Sequence, residues 1–155
     1  MTVDVIGSVF RDRSQPGDFG WMITRPEYAD TLFIFNDNEN EFRAHQRHAP
    51  GSSGCHAGGG NAVIRPYQCQ DPPRAAGIPT GASGGYTELT EHVRATIDDA
   101  LAAIRALLAT GRYREVVYSA ANDAGDLGTG IFTVDDDVKR YIVDGVRALG
   151  TASRS

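Results

Sequence analysis

The stretch TLFIF at residues 31–35, followed at once by Asn36-Asp37-Asn38, decides the fold class of this 155-residue chain. A continuous run of apolar, aromatic and β-branched residues is typical of a strand that is covered on both faces. A sheet with two covered faces carries helices on both sides. We therefore predict an α/β fold with a parallel or mixed sheet that helices cover on both faces.

The residues on either side of this stretch supply the other predicted strands and helices. Strands are predicted at residues 3–10, 19–24, 75–80 and 115–121, and helices at residues 61–67, at 87–110 and from 133 onward. The helix over residues 87–110 has apolar residues at helical spacing, with Thr87 as its predicted N-cap. The last helix is predicted to open on Thr133 and Asp136, which have capping-box spacing. Residues 36–60 lack periodicity and predict a long loop, which in a compact domain is usually functional or disordered.

Length and composition limit the class of protein. The length fits a single domain over residues 1–150, with a flexible tail at 151–155. The net charge of −5 and the lack of a Lys/Arg block argue against extended nucleic acid as a partner. No apolar run has the length of a membrane span, and the first residues lack the basic segment of a secretory signal. Cys55 and Cys69 are too few for a disulfide framework, so a reducing, cytoplasmic setting is expected.

A first glycine-rich loop lies between the strand at residues 31–35 and the next predicted helix. Its residues are Gly58, Gly59, Gly60 and Asn61. Glycines before a helix expose successive backbone N–H groups, and the helix N-terminus adds partial positive charge, so such a loop can hold a phosphate. Asn36 and Asn38 can hydrogen-bond ribose hydroxyls or a base edge, and the guanidinium of Arg65 suits a phosphate. The alternative is a flexible loop with capping Asn and Asp side chains.

A second glycine-rich loop follows the predicted strand at residues 115–121. Its residues are Gly128, Thr129, Gly130, Ile131 and Phe132. The backbone amides and the hydroxyl can wrap a diphosphate, and Phe132 can pack against a sugar or a base. The alternative is a tight structural connection between strand and helix. If the strands are parallel, their carboxyl ends share one edge of the sheet, so both loops are predicted at the edge where ligands bind in such folds.

These motifs resemble those of a known family. The strand, Asn-rich turn, glycines and helix resemble the first ligand loop of macrodomains, roughly Asn-Ala-Ala-Asn and then Gly-Gly-Gly-Val-Ala, here at residues 36–38 and 58–62. Residues 128–132 are similar to the second macrodomain loop, roughly Ser-Ser/Thr-Gly-Ile-Phe-Gly before a helix. The chain also resembles a group of small bacterial and phage proteins. Their pattern is Phe-Gly-Asp-Asn, Gly-Gly-x-Ala-x-x-Arg and Gly-Ile-Pro-Thr, here at residues 35–38, 59–65 and 77–80.

The macrodomain resemblance implies a three-layer α/β/α sandwich with a mixed central sheet. It also implies that the fold binds ADP-ribose or a related NAD-derived nucleotide through the two loops, with no separate cofactor. Some members of that family also hydrolyse ADP-ribosyl linkages. The chain departs from the family in two places: residues 39–57 form a longer insertion than usual, and Asp30 is the candidate for the acidic residue that holds adenine. The residues leave the oligomeric state open.

Two further sets of residues suggest other chemistry. Asp37, Asp126 and His56 are the candidates for moving protons in a hydrolysis, the carboxylates as general bases and the imidazole as an acid or base. The nitrogen and sulfur ligands that zinc prefers lie close together in the sequence. They are His45, His48, Cys55, His56 and Cys69. Their spacing matches no common zinc finger, so no metal site is predicted, and a zinc-bearing or protein-partner module stays the alternative function.

Overall fold

The computed structural model describes residues 2–47 and 53–152 of the chain. Its strands are β1 (Asp4–Val9), β2 (Thr31–Asn38), β3 (Ala75–Gly81) and β4 (Glu115–Ala120). Its α-helices are α1 (Phe19–Met22), α2 (Glu39–Gln46), α3 (Glu91–Leu108) and α4 (Asp136–Ala152). Its 3-10 helices are Pro26–Tyr28, Ser53–Cys55 and Gly60–Cys69. The predicted α/β class is confirmed.

The described strands form one four-stranded sheet in the order β1-β4-β2-β3. All three pairings between neighbours are parallel, so the prediction of a mixed sheet is wrong for the described residues. Parallel neighbours require a crossover connection, and the connections between these strands contain helical segments that return the chain to the same end of the sheet. The carboxyl ends of all four strands therefore lie at one edge.

The central strand β2 is covered on both faces, as its sequence predicts. Leu32 and Ile34 belong to the core that contains α3 and α4, and Phe33 and Phe35 belong to a second core on the opposite face. That second core is closed by α1 and by the 3-10 helix Gly60–Cys69. Because side chains alternate between the faces of a strand, burial of both faces requires successive residues to be apolar, as they are from Leu32 to Phe35.

The predicted strand at residues 19–24 is wrong, because Phe19–Met22 forms the helix α1. Phe19, Met22 and Ile23 are buried in the second core. Their spacing of three and four residues places them on one helical face. A short apolar run does not by itself distinguish a strand from a helix, and the packing against the sheet decides between them here.

Residues 36–60 are not one long loop. The strand β2 runs to Asn38, and the helix α2 follows at once. Asn38 is the N-cap of this helix, since its Oδ1 accepts a hydrogen bond from the amide of Glu41 at 2.8 Å. Phe42 is the residue that α2 buries. The sequence does not predict this helix, because it is short and mostly polar and has little apolar periodicity.

The two long helices begin later than predicted. Thr90, and not Thr87, is the N-cap of α3, because its Oγ1 accepts a hydrogen bond from the amide of Val93 at 3.1 Å. The helix α4 begins at Asp136, so the predicted cap Thr133 lies outside it. Several polar residues precede each helix, and the path of the backbone decides which oxygen reaches the first turn. No helix among the described residues combines the length and the apolar character needed to cross a membrane.

Candidate functional site

The connections that follow the neighbouring strands β2 and β4 bring two loops to the carboxyl edge of the sheet. After β2 the chain first forms α2, whose Phe42 packs in the core that contains α3 and α4, and it then forms the 3-10 helix Gly60–Cys69, which packs in the second core with Phe33 and Phe35. After β4 the chain passes to α4, which packs against β1 and α3. The carboxyl edge is where ligands bind in parallel α/β sheets. We call the part of this edge between the first loop (residues 56–61) and the second loop (residues 122–132) the β2–β4 crevice.

Asn36, near the carboxyl end of β2, joins the two loops. Its backbone N–H donates to Oδ1 of Asn61 at 2.9 Å. Its side-chain Nδ2 donates to the carbonyl oxygen of Gly128 at 2.7 Å. The two loops therefore meet at one edge of the sheet, as the sequence predicts, and one residue sets their separation.

Three backbone amides of the first loop have no partner among the residues that the structure describes. The N–H groups of Gly59, Gly60 and Asn61 donate to none of them, whereas Gly58 donates to the carbonyl of Ala62 at 3.0 Å. A Cβ added at Gly59 or Gly60 would meet no atom within 4 Å, so the surface is open there. Gly60 has a φ of +58°, a conformation that favours glycine. Unpartnered amides at the start of a helix are the donors that an anion needs.

The second loop presents similar donors beside an apolar surface. Oγ1 of Thr129 donates to the carbonyl of Phe132 at 2.9 Å, and the amide of Phe132 donates to the carbonyl of Thr129 at 3.2 Å. These two hydrogen bonds close a turn. The amides of Thr129, Gly130 and Ile131 donate to no residue within the described ranges. Ile131 is 95% exposed and Phe132 is 59% exposed. Apolar side chains this exposed, next to unpartnered amides, suit contact with a ligand.

Asp37 and Arg65 form a buried ion pair beneath the first loop. Nη2 and Nε of Arg65 donate to Oδ1 of Asp37 at 2.9 and 3.2 Å. The Asp37 side chain is 0% exposed and the Arg65 side chain is 7% exposed. Nη1 of Arg65 donates to the carbonyl of His56 at 3.0 Å. The guanidinium also lies 5.8 Å from the ring centre of Phe35. Arg65 therefore ties the first loop to β2 from the interior, and not from the loop surface where a phosphate contact was predicted.

Two glycines make room for this ion pair. A Cβ on Gly77 would lie 2.6 Å from Oδ2 of Asp37, and a Cβ on Gly58 would lie 2.7 Å from Nη1 of Arg65. Oδ2 of Asp37 is buried and has no hydrogen-bond partner among the described residues. Burial raises the pKa of Asp37 above its ordinary value of 3.8, although the charge of Arg65 acts in the opposite direction. Gly77 was not predicted to support the site, but a glycine inside a strand often marks such a close approach.

The other predicted polar residues lie in separate environments. Asp126 is exposed in the second loop, where its Oδ2 accepts a hydrogen bond from Nδ2 of Asn122 at 2.9 Å. The side chain of His56 is exposed. Asn38 uses its Oδ1 to cap α2, so it is part of the helix start. Among the strand-end residues 36–38, Asn36 is therefore the one that reaches both loops.

Two of the residues considered as zinc ligands form a disulfide, Cys55–Cys69, which the cysteine count did not predict. The bond joins the 3-10 helix Ser53–Cys55 to the end of the 3-10 helix Gly60–Cys69. His45 lies beside it, with Nδ1 3.9 Å from Sγ of Cys69. His48 lies outside the described residues.

Comparison with known proteins adds no relative, because no protein-family model, curated protein or solved structure matches the chain. The β2–β4 crevice and its two loops are therefore the features of the structure that indicate a function.

Proposed function

We propose that this chain binds a phosphate-bearing nucleotide of the ADP-ribose type in the β2–β4 crevice. The observation that carries the proposal is the contact of Asn36 with both loops. This contact brings to one edge of the sheet two groups of amides that have no partner among the described residues. Two groups of donors suit the two phosphates of a diphosphate. The net charge of −5 does not oppose this binding, because oriented amides hold an anion without cationic side chains.

The apolar side chains of the second loop suit the remainder of a nucleotide. A base or ribose that covers Ile131 and Phe132 removes exposed apolar surface from water. The ring of Phe132 can also stack against a base. The choice of ADP-ribose among nucleotides rests on the resemblance of both loops to those of macrodomains, and the three-layer macrodomain arrangement belongs to the same proposal.

The proposed function is binding, and the structure argues against Asp37 as the base of a hydrolysis. A general base has to reach the water that it activates. The carboxylate of Asp37 is enclosed and paired with Arg65, whereas Asp126 and His56 are exposed. An ADP-ribosylated peptide incubated with the protein is expected to stay intact, and release of ADP-ribose that is lost in Asp126→Ala or His56→Ala would contradict this assignment.

Calorimetric titration with ADP-ribose, NAD and AMP tests the binding proposal. Gly59→Leu adds a side chain where a Cβ meets no protein atom, so the variant should fold and its side chain should cover the free amides. Gly84→Leu adds the same side chain at another open glycine, after β3, and is the matched control. We expect ADP-ribose to bind wild type and Gly84→Leu alike. Binding to Gly59→Leu should be at least about ten-fold weaker, which corresponds to about 1.4 kcal/mol.

Three results would each contradict one part of the proposal. Folded wild-type protein that gives no heat with any of the three compounds would exclude nucleotide binding. Equal affinity of wild type and Gly59→Leu would exclude the β2–β4 crevice as the site. AMP that binds as tightly as ADP-ribose would show that the two groups of amides do not hold a diphosphate.

A further inference from the structure

A second cluster of reactive side chains lies in the connection between β2 and β3. His45 belongs to the last turn of α2, Cys55 ends the 3-10 helix Ser53–Cys55, and Cys69 ends the 3-10 helix Gly60–Cys69. One ligand atom of each residue lies within 4.8 Å of the others. Three separate segments of the chain thus deliver one imidazole nitrogen and two sulfurs to one place.

The distance between the imidazole nitrogen and the sulfur of Cys69 is close to that in a zinc site, and the two sulfurs, which are bonded to each other in the disulfide, can take up such a spacing once the disulfide is reduced. Zinc binds nitrogen at about 2.0–2.1 Å and sulfur at about 2.3 Å, and tetrahedral angles then put a nitrogen and a sulfur ligand about 3.6 Å apart. Nδ1 of His45 lies 3.9 Å from Sγ of Cys69. Histidine nitrogen and cysteine sulfur are also the usual protein ligands of zinc.

Contacts other than the disulfide hold the three segments together. Nε2 of Gln68 donates to the carbonyl of Gly54 at 2.5 Å. A Cβ on Gly54 would lie 2.7 Å from Cβ of His45, so a glycine is needed for the Ser53–Cys55 segment to approach α2 this closely. Reduction of the Cys55–Cys69 bond therefore leaves the two thiols and the imidazole as neighbours.

The cluster is accessible from solvent. Cys69 is exposed, and His45 and Cys55 are half-buried. A site of this kind admits an ion from solvent and leaves a fourth coordination position for water.

We propose that the reduced protein binds one zinc ion through Nδ1 of His45 and the sulfurs of Cys55 and Cys69, with water as the fourth ligand. The disulfide is the oxidised, metal-free form of the same site. Two molecules of a small thiol reduce the disulfide, are themselves oxidised to their own disulfide, and leave two cysteine thiols. Zinc binding then converts both thiols to thiolates and releases two protons.

Cobalt(II) and zinc(II) titrations of the whole chain test this proposal. The reduced wild-type protein should bind one equivalent of cobalt with a thiolate-to-cobalt charge-transfer band, and zinc should displace it. The oxidised protein should bind no metal. His45→Gln should bind more than about ten-fold more weakly and shift the cobalt spectrum. His92→Gln, at an exposed histidine on α3, is the matched control and should bind like wild type.

Circular dichroism of each reduced variant keeps the test independent of folding. Reduced, folded wild-type protein that binds no stoichiometric zinc would overturn the proposal. Unchanged cobalt affinity and spectrum in folded His45→Gln would overturn it as well. If Cys55→Ser retains the full charge-transfer band, the assignment of that sulfur is wrong.

Discussion

Replacing Arg65 by methionine leaves the carboxylate of Asp37 buried without its cation. In the wild-type protein two guanidinium nitrogens donate to Oδ1 of Asp37 at 2.9 and 3.2 Å. The Asp37 side chain is 0% exposed, so water cannot replace these bonds. Oδ2 already has no hydrogen-bond partner within the described part of the chain. Asp37 therefore depends on Arg65 for the stabilisation of its charge.

The expected loss of unfolding free energy in Arg65→Met is large for a single substitution. Removing one partner of a buried ion pair costs about 3–5 kcal/mol of unfolding free energy. For a chain of this length each kcal/mol lowers the melting temperature by about 2–4 °C, so Arg65→Met should melt about 6–20 °C below wild type. Arg140→Met is the matched control, because Arg140 and Asp137 form a pair whose side chains are 67% and 69% exposed. Such a surface pair contributes about 0–1 kcal/mol.

The loss should depend on pH in a direction that the environment of Asp37 determines. Burial raises the pKa of Asp37 in the folded state above its ordinary value, and Arg65 lowers it. Without Arg65 this pKa rises further. The folded state then binds the proton before the unfolded state does, so its stability increases as the pH falls through the folded-state pKa. The difference between wild type and Arg65→Met should therefore shrink as the pH is lowered through the folded-state pKa of Asp37 in the variant.

Thermal unfolding followed by circular dichroism at several pH values measures both effects. The double variant Asp37→Asn with Arg65→Met removes the uncompensated charge and should be more stable than Arg65→Met alone. This double variant also keeps the test informative if Arg65→Met does not fold. Arg65 does not stabilise a buried charge on Asp37 if Arg65→Met melts within about 2 °C of the Arg140→Met control, or if Arg65→Met loses the same unfolding free energy at every pH.

Two further pairs of substitutions test the packing and the helix start. Gly77→Ala puts a Cβ 2.6 Å from Oδ2 of Asp37 and should cost about 1–3 kcal/mol in urea unfolding, whereas Gly59→Ala meets no atom within 4 Å and should change stability by less than about 0.5 kcal/mol. Equal effects would exclude the clash. Thr90→Ala removes the N-cap of α3 and should cost about 0.5–2 kcal/mol in thermal unfolding, whereas Thr87→Ala should cost less than about 0.5 kcal/mol. The reverse order would assign the cap to Thr87.

Local patterns predict the parts of this fold that depend on neighbouring residues. The apolar run at residues 31–35 marks the central strand, and the helical periodicity after Thr87 marks α3. Such patterns are reliable because burial of a strand or a helix requires a repeat of apolar residues along the chain itself. The same patterns fail for α1, which has too few residues to show a period, and for α2, which buries one side chain.

The sequence by itself determined the α/β class, the central strand, the two long helices and the two glycine-rich loops, because each depends on a pattern of residues that are close together in the chain. Only the tertiary structure decided how those loops are held. Asn36 reaches a carbonyl 92 residues away, and Arg65 turns inward to Asp37 across 28 residues. Contacts over such distances leave no local pattern, since they depend on the path of the whole chain. For the same reason the sequence suggests Arg65 as a phosphate ligand, whereas in the fold its guanidinium is buried against Asp37.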